Sequence, residues 1–589
     1  MILQALTQYY ETLLSLGKIA APGWGLAKVS FGLELGTDGN LLQVFSYKSE
    51  EQRGKKTVMA PRVMAVPMPV KRSSDVSANF LCDNSGYLLG ADAKGKPERT
   101  LDCFAACAAL HKEILDGVDA PAAQAVLAFF ETWQPAQAAE HPALKEYWEE
   151  LIGGANLVFC HGMHPVCDDP AVRAAWQAHY DGGGADSQVI TCLVTGKQDQ
   201  VALVHPAIKG VRDAQSSGAA LVSFNGPAFE SYDREQGMNA PIGKYAAFAY
   251  TTALNTLLAD GAHCRVIGDT TMVCWAEHGG SGYQNACMAA LFGWPDKQGI
   301  SDQVMSAMLA SLAKGDPFDW DGVTLLPEEH FYILGLAPNA ARVSVRFFLR
   351  DSFGDFARNI KRHYQDTAVP HSSRDVFDTL PVWKLLSETV NQNSRDKAPS
   401  PQLTGELLRA ILTGGPYPAT LLTGADLRIR AEHEVTRGRA AIIKGYYTRF
   451  NAGKGHPHCP KEVLEMPDKT TNIPYTLGQL FSIYEQIQLA ANPGINTTIK
   501  DKYFNSASST PARVFPVLCN LAQKHLRKLD TGLHIYFDRQ LGELSAAVGD
   551  HYPARMDLAE QGAFQLGYYA KNLKRFEKKA TTKEENNNV

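Results

Sequence analysis

Val29-Ser-Phe-Gly-Leu-Glu-Leu-Gly-Thr-Asp-Gly-Asn-Leu-Leu-Gln-Val44 decides the fold class of the first third of the chain. Val29, Phe31, Leu33 and Leu35 alternate with Ser30, Gly32 and Glu34, the period of a half-buried strand. Thr37-Asp38-Gly39-Asn40 is a turn signal, and Leu42 and Val44 begin a return strand. Upstream, Ile2, Leu3, Leu6, Tyr9, Tyr10, Leu13 and Leu14 recur at helical spacing until Gly17, which predicts a helix over 1–16. Downstream, Phe104, Cys107, Leu110 and Ile114 share one face of a helix expected from Thr100 to Leu115. Residues 1–180 therefore read as a mixed α+β domain.

Asp181-Gly182-Gly183-Gly184 interrupts this pattern. Beyond it, Gln188–Leu193 and Val201–Val204 read as strands and Ala246–Leu258 as a helix, giving a central α/β region over 188–350. Residues 351–465 read as mostly helical, with a polar connection at Asn391–Gln402 and a break at Gly414-Gly415-Pro416. Another linker signal, Asn451 to Pro457, precedes a change of texture. Val514, Phe515, Leu518, Leu521 and Leu526 mark one helix face, and Phe564, Tyr568, Tyr569, Leu573 and Phe576 mark another. The expected architecture is α+β: a mixed multi-domain N-terminal and central region, then an all-α helical bundle over 466–589.

The chain has 589 residues, 45% of them hydrophobic and 20% charged, a balance that excludes a disordered, collagen-like or disulfide-scaffold protein. Its formal net charge is -5, so contacts to nucleic acid have to come from local patches. Residues 466–589 carry 15 basic and 12 acidic side chains. A second basic stretch, 428–454, carries Arg428, Arg430, Arg437, Arg439, Lys444, Arg449 and Lys454 against Glu432 and Glu434. Arg430, Arg437 and Lys444 are seven apart, a spacing that one continuous helix places near one face. Lys571, Lys574, Arg575 and Lys578 recur on a helix of the bundle. No run of about 18 apolar residues occurs, and the N-terminus lacks the pattern of a signal peptide. The 11 scattered cysteines read as reduced thiols, so a cytoplasmic protein with no membrane partner is expected.

Catalytic motifs fail on inspection. Gly90-Ala-Asp-Ala-Lys-Gly95-Lys96 has phosphate-loop spacing, but Pro97 stands where a magnesium-binding hydroxyl is needed. A Gly-Lys hairpin between strands is expected instead. His278-Gly-Gly-Ser281-Gly282 has the wrong glycine spacing for a nucleophile elbow. Cys160-His161-Gly-Met-His164-Pro-Val-Cys167 puts four zinc-type ligands within eight residues. Structural zinc sites draw ligand pairs from separated segments, so a turn with buried thiols is expected. A metal-dependent hydrolase or nuclease on this cluster is the alternative from another class. No catalytic residue, metal ligand or cofactor is assigned.

Two polar blocks border apolar strand residues. One is Val70-Lys71-Arg72-Ser73-Ser74 with Asn79-Phe-Leu-Cys-Asp-Asn84-Ser-Gly-Tyr87. The other runs from Lys209 through Gln215-Ser216-Ser217 to Asn225. Lys and Arg suit phosphates, while Asn and Gln suit base edges.

Longer blocks carry a resemblance. Met1-Ile-Leu-Gln-Ala-Leu, Lys18-Ile-Ala-Ala-Pro-Gly-Trp24, Lys71-Arg-Ser-Ser, Asn79 through Gly90 and Gly95-Lys-Pro97 are among them. Ser216 through Asn225, Ala228-Phe-Glu-Ser-Tyr232, Asn239-Ala-Pro241, Ala246 through Asn255, Gly268-Asp-Thr-Thr271 and Leu412 through Pro418 continue the pattern. Together they resemble the large subunit of the type I-C CRISPR surveillance complex, Cascade. The resemblance implies a non-catalytic subunit that reads the PAM on target double-stranded DNA and starts strand separation and R-loop formation. It implies guide RNA and the displaced single strand as nucleic-acid partners. Its protein partners would be the repeated backbone subunit, the guide-processing subunit, the small subunit and a recruited helicase-nuclease. By residue type, Lys71, Arg72, Asn79 and Asn84, then Gln215, Ser216, Ser217 and Asn225, are the PAM-reading candidates. Lys571, Lys574, Arg575 and Lys578 are candidates for the displaced strand, and Arg430, Arg437 and Lys444 for nucleic acid generally. The resemblance also implies that the bundle can be made separately from an internal start, for which Met466 is the candidate. A purely structural scaffold subunit is the remaining alternative.

Overall fold

The computed structural model describes the chain except residues 54–55, 71–75, 183–187, 294–301, 374, 376, 396 and 586–589, and without the side chains of 52, 53, 56 and 576–585. Two compact units result. Residues 3–205 and 224–250 form the first, and residues 206–223 and 251–589 the second. Residues 188–350 therefore contribute to both units, while 351–465 and 466–589 share the second.

In the first unit, strand Phe31–Leu35 lies between Leu41–Ser46, antiparallel, and Asn156–His161, parallel. Cys82–Asn84 adds to the far side of Asn156–His161. The alternation predicts a half-buried strand, but Phe31–Leu35 is buried on both faces. The reason lies on the polar side of the pleat. The Phe45 ring and the Cys160 thiol close over Gly32, where an added Cβ would come within 2.6 Å of Phe45. Both carboxylate oxygens of Glu34 accept the Met163 N–H at 3.1 Å. The return strand also differs from expectation. A register shift between Glu34 and Leu35 puts Leu41 in the core and leaves Leu42 exposed. At the hairpin tip Gly39 has φ +79°, and a Cβ there would lie 2.3 Å from the Phe129 nitrogen. Glycine thus lets the turn close onto helix Pro121–Thr132.

Helix Pro97–Leu115 begins before the expected Thr100, because a proline is favoured in the first turn, where its missing N–H costs nothing. Gly90–Lys96 therefore leads into a helix and is not a hairpin between strands. The expected strand at Val201–Val204 lies instead at Gln198–Gln200, paired with Val189–Thr191.

The second unit holds a four-stranded antiparallel sheet in the order Cys264–Ile267, Thr270–Ala276, His330–Asn339, Arg342–Ser352. Met272, Cys274, Ala276, Phe331 and Ile333 point from one face into a core shared with helices Tyr283–Phe292 and Phe353–Thr367. Arg449, on helix Arg437–Gly453, is 2% exposed. Its Nε donates to Asp366 Oδ2 at 2.7 Å, and its Nη1 donates to the Ala410 and Gly415 carbonyls at 2.8 and 2.9 Å. Its guanidinium lies 4.3 Å from the centre of the Tyr417 ring. One side chain thereby ties together Phe353–Thr367, Pro401–Thr413 and the Gly414–Pro416 break.

The bundle comprises helices Ile473–Ala491, Ile499–Ser509, Pro511–Leu526, Thr531–Val548 and Leu558–Glu585. The first and last cross in backbone contact. A Cβ on Gly478 would lie 1.9 Å from the Phe564 carbonyl oxygen, and one on Gly567 would lie 2.0 Å from that of Tyr475. The bundle also shares its core with the preceding helices. Tyr569 Oη donates to the Pro370 carbonyl at 2.6 Å, and Gln565 Nε2 donates to Asp426 Oδ1 at 3.0 Å. Met466 is buried at this junction with φ 53°. Among the described residues no helix is long and apolar enough to cross a membrane.

The glycine crossing sets a stability test. Gly478→Ala forces two backbones apart, a cost of about 3 kcal/mol by analogy with overpacked cores. Urea unfolding of the full chain should report that loss. Gly542→Ala, where a Cβ would meet nothing within 4 Å, should be neutral or slightly stabilising.

Candidate nucleic-acid interface

The first polar block is built around a clamp. Asn79 Oδ1 accepts the Val70 N–H at 2.9 Å, so this amide joins the two ends of the 70–79 segment. Its own N–H donates to Asp83 Oδ2 at 2.9 Å, and the Asn84 N–H donates to Asp83 Oδ1 at 2.8 Å. Asn84 Oδ1 accepts the Gly86 N–H at 3.0 Å and caps the short Ser85–Leu88 helix. Asn79 and Asn84 are thus brought together, each partly buried and engaged with backbone. Lys71 and Arg72 lie outside the described residues, on the segment whose ends Asn79 joins.

Beneath this clamp sits a residue that the motif search passed over. His111 is fully buried on helix Pro97–Leu115, one turn after Cys107. Its Nε2 accepts the Leu81 N–H at 2.8 Å, and its Nδ1 lies 2.7 Å from the Cys107 carbonyl. Those partners assign the neutral tautomer with the proton on Nδ1. Leu81 itself has φ 58°, a left-handed conformation that a leucine holds only against strain. Burial pushes the His111 pKa down to about 4. The signal was present in sequence, since position 111 lies on the face marked by Cys107 and Ile114.

Gln215, Ser216 and Ser217 form the exposed tip of a loop in the second unit. Its neck is closed by two 2.8 Å hydrogen bonds between the backbones of Ile208 and Ala219. Asn255 braces the neck, accepting the Lys209 N–H at 2.8 Å and donating to the Ala207 carbonyl at 3.1 Å. Gly218 has φ +100° and lies so close to the Ile208 carbonyl that a Cβ would come within 2.9 Å. Asn225 is exposed but belongs to the first unit, so this candidate set is divided.

The basic stretch is the clearest correction. No single helix carries Arg430, Arg437 and Lys444. Helix Ala419–Glu432 ends at His433, which has φ 54°, and Thr436 caps a new helix by accepting the Arg439 N–H. Each of the three side chains is engaged internally. Arg430 pairs with Asp426 at 3.0 Å, and Lys444 Nζ donates to the Ala368 carbonyl at 2.7 Å. Arg437 donates to the carbonyls of Phe377 and Asp378, and burial lowers its pKa. Arg439 and Arg449 go further and are almost wholly buried. Arg439 pairs with Glu432 and, at 3.5 Å, with Glu388.

In the bundle, Lys571 and Lys574 line a cavity of about 570 Å³ with Lys469, Thr470, Gln479 and Glu543. Lys574 is half exposed and paired with Asp468. Lys469 reaches Glu543 at 3.5 Å, and Arg539 reaches it at 3.2 Å, which holds the Glu543 carboxyl below its usual range. Arg575 follows on the same helix, and the side chain of Lys578 lies outside the described residues.

The cysteine–histidine cluster is a tight turn. His161 and His164 pair across Gly162 and Met163, both with positive φ. Cys160 and Cys167 are buried, and burial pushes both thiols up to about 12. His161 Nδ1 lies 3.0 Å from the Leu35 carbonyl. His458, Asp557 and Glu560 bring metal-type atoms within 4.8 Å of one another, but there the two carboxylates cap the last helix.

A family model described as "CRISPR-associated protein (Cas_Csd1)" matches residues 6–576, nearly the whole chain. A comparison with curated proteins gives no match.

His111 generates a pH prediction. An unfolded histidine titrates near 6.5 and this one near 4, so as pH falls the unfolded chain takes the proton first. Its contribution is complete above about pH 6.5 and is lost on the way down to about pH 4, on the order of 3 kcal/mol in all. Urea midpoints across that window should fall less steeply in His111→Gln, whose amide oxygen can still accept the Leu81 N–H.

Proposed function

The chain belongs to the CRISPR-associated Cas_Csd1 family, and from that premise we propose that it is the large subunit of a type I-C Cascade. On this reading it assembles with guide RNA and the other Cascade subunits, reads the PAM on duplex DNA and promotes R-loop formation. It then helps recruit a separate helicase-nuclease. The observation that carries the reading is the span of the family match, from residue 6 to residue 576. Base pairing with the guide reads most of the target in such complexes, and protein reads only the short flank.

Within that reading the 70–79 segment, closed by Asn79, supports flank reading by a loop of fixed base carrying Lys71 and Arg72. Asn79 serves as a positioning residue. The helix bearing Lys571, Lys574 and Arg575 supports backbone contact to the displaced strand. Lys574 is held by Asp468, so a phosphate would have to exchange for that carboxylate. The 428–454 stretch favours a structural role, because Arg437, Arg439 and Arg449 are consumed inside the fold. Met466 as an internal start remains part of the reading, and a short product that persists in Met466→Ile would count against it.

Guide-matched duplexes with randomised flanks test the proposal, using the assembled complex with and without this chain at fixed salt. Selection of a short flank should appear only with the chain present. An unchanged flank profile would leave a scaffold. Asn79→Ala should relax flank preference by about 1–3 kcal/mol. Lys571→Ala with Lys574→Ala should weaken all duplexes alike and flatten the salt dependence by roughly two phosphate contacts.

A further inference from the structure

Residues 226–243 of the first unit hold a turn that the fold maintains without using. Ser231 and Arg234 pair, with the Arg234 N–H donating to the Ser231 carbonyl at 3.2 Å. The two residues between them, Tyr232 and Asp233, have φ of 57° and 56°. Such a turn favours glycine or asparagine, and a tyrosine there is a backbone outlier. The strain does not serve to bury the ring, since Tyr232 is 93% exposed.

The surrounding structure over-determines this conformation. Asn239 Oδ1 accepts the Ser231 N–H at 2.9 Å, and its Nδ2 donates to the carbonyls of Arg234 at 2.6 Å and Gln236 at 3.0 Å. Glu230 Oε1 accepts the Gln236 N–H at 3.3 Å. The base is pinned where the Gly237 N–H donates to the Leu203 carbonyl at 3.0 Å. Gly237 packs so closely that a Cβ would lie 2.3 Å from the Ala202 carbonyl oxygen.

We propose that this turn is a docking anchor, and that Tyr232 inserts into a basic-rimmed apolar pocket on a protein partner. A rigid aromatic side chain displayed on a pre-organised turn has the character of an interface hot spot. Charge selects the class of partner. Glu230, Asp233 and Glu235 surround Tyr232 against the single Arg234, a field that repels phosphate backbones and complements a basic rim. The inference rests on the assembly reading above, which supplies a protein subunit as the partner. The strain is accounted for by function, because backbone energy stored at one exposed residue persists where presentation of that residue is selected.

The test uses the complex co-expressed with its guide, with p-benzoylphenylalanine in place of Tyr232 and irradiation with target duplex bound. A protein–protein adduct at position 232, mapping to a partner surface bearing Lys or Arg, is expected. An adduct to RNA or DNA overturns the proposal, as does no adduct from a chain that stays in the complex. A wild-type chain that never enters the complex overturns the assembly reading itself. Tyr232→Gly provides a second measurement. Glycine accepts the left-handed conformation, so the melting temperature of the full chain should rise while its affinity for the complex falls by about tenfold or more. Tyr232→Phe should keep the affinity. Unchanged affinity in Tyr232→Gly overturns the anchor.

Discussion

The second unit is organised by one buried charge. Arg449 enters a core of otherwise apolar side chains and finds a partner for Nε and two for Nη1, in Asp366 and the carbonyls of Ala410 and Gly415. Tyr417 covers its face. A buried guanidinium is tolerated only with such a complement, because desolvation of an ion costs several kcal/mol before any pairing returns it. The complement cannot be assembled locally. It needs three chain segments in one place, so the charge selects a single arrangement of those helices more than it adds stability. His363 extends the constraint. Its Nδ1 lies 2.6 Å from Tyr417 Oη, and burial, then the nearby Arg449, drives its pKa down to about 3. The network holds a neutral imidazole beside a permanent cation.

That constraint explains why the basic stretch reads so differently in sequence and in space. Arg430, Arg437 and Lys444 keep their seven-residue spacing, but the spacing has meaning only on an unbroken helix. The break at His433 rests on a left-handed residue that is not glycine, and sequence gives little warning of it. Thr436 is a recognisable cap. The partners of Arg449 and Arg437 are distant in sequence, so their burial follows from tertiary packing alone.

Other parts were more open to sequence. The turn at Thr37–Asn40, the helices at 1–16, 246–258 and through the bundle, and the α+β class all follow from periodicity and turn chemistry. The half-burial of Phe31–Leu35 fails because alternation reports one covered face, and here Phe45 and the Met163 turn cover the second. Among candidate site residues, residue type located the Asn79–Asn84 block but not its wiring. Asn79 and Asn84 point their amide oxygens at backbone N–H groups. Which polar groups close a loop and which face outward is decided by contacts across the fold.

The core that runs from helix Arg437–Gly453 into Leu558–Glu585 also governs how the chain comes apart. Segments that share a packed interior open together, so the bundle and the helices before it form one cooperative element for hydrogen exchange and proteolysis. Gly478 and Gly567 sharpen this, because helices in backbone contact cannot slide or splay by small side-chain adjustments. Local fraying is then confined to the loops and chain ends, and the basic helix moves only when its whole neighbourhood does.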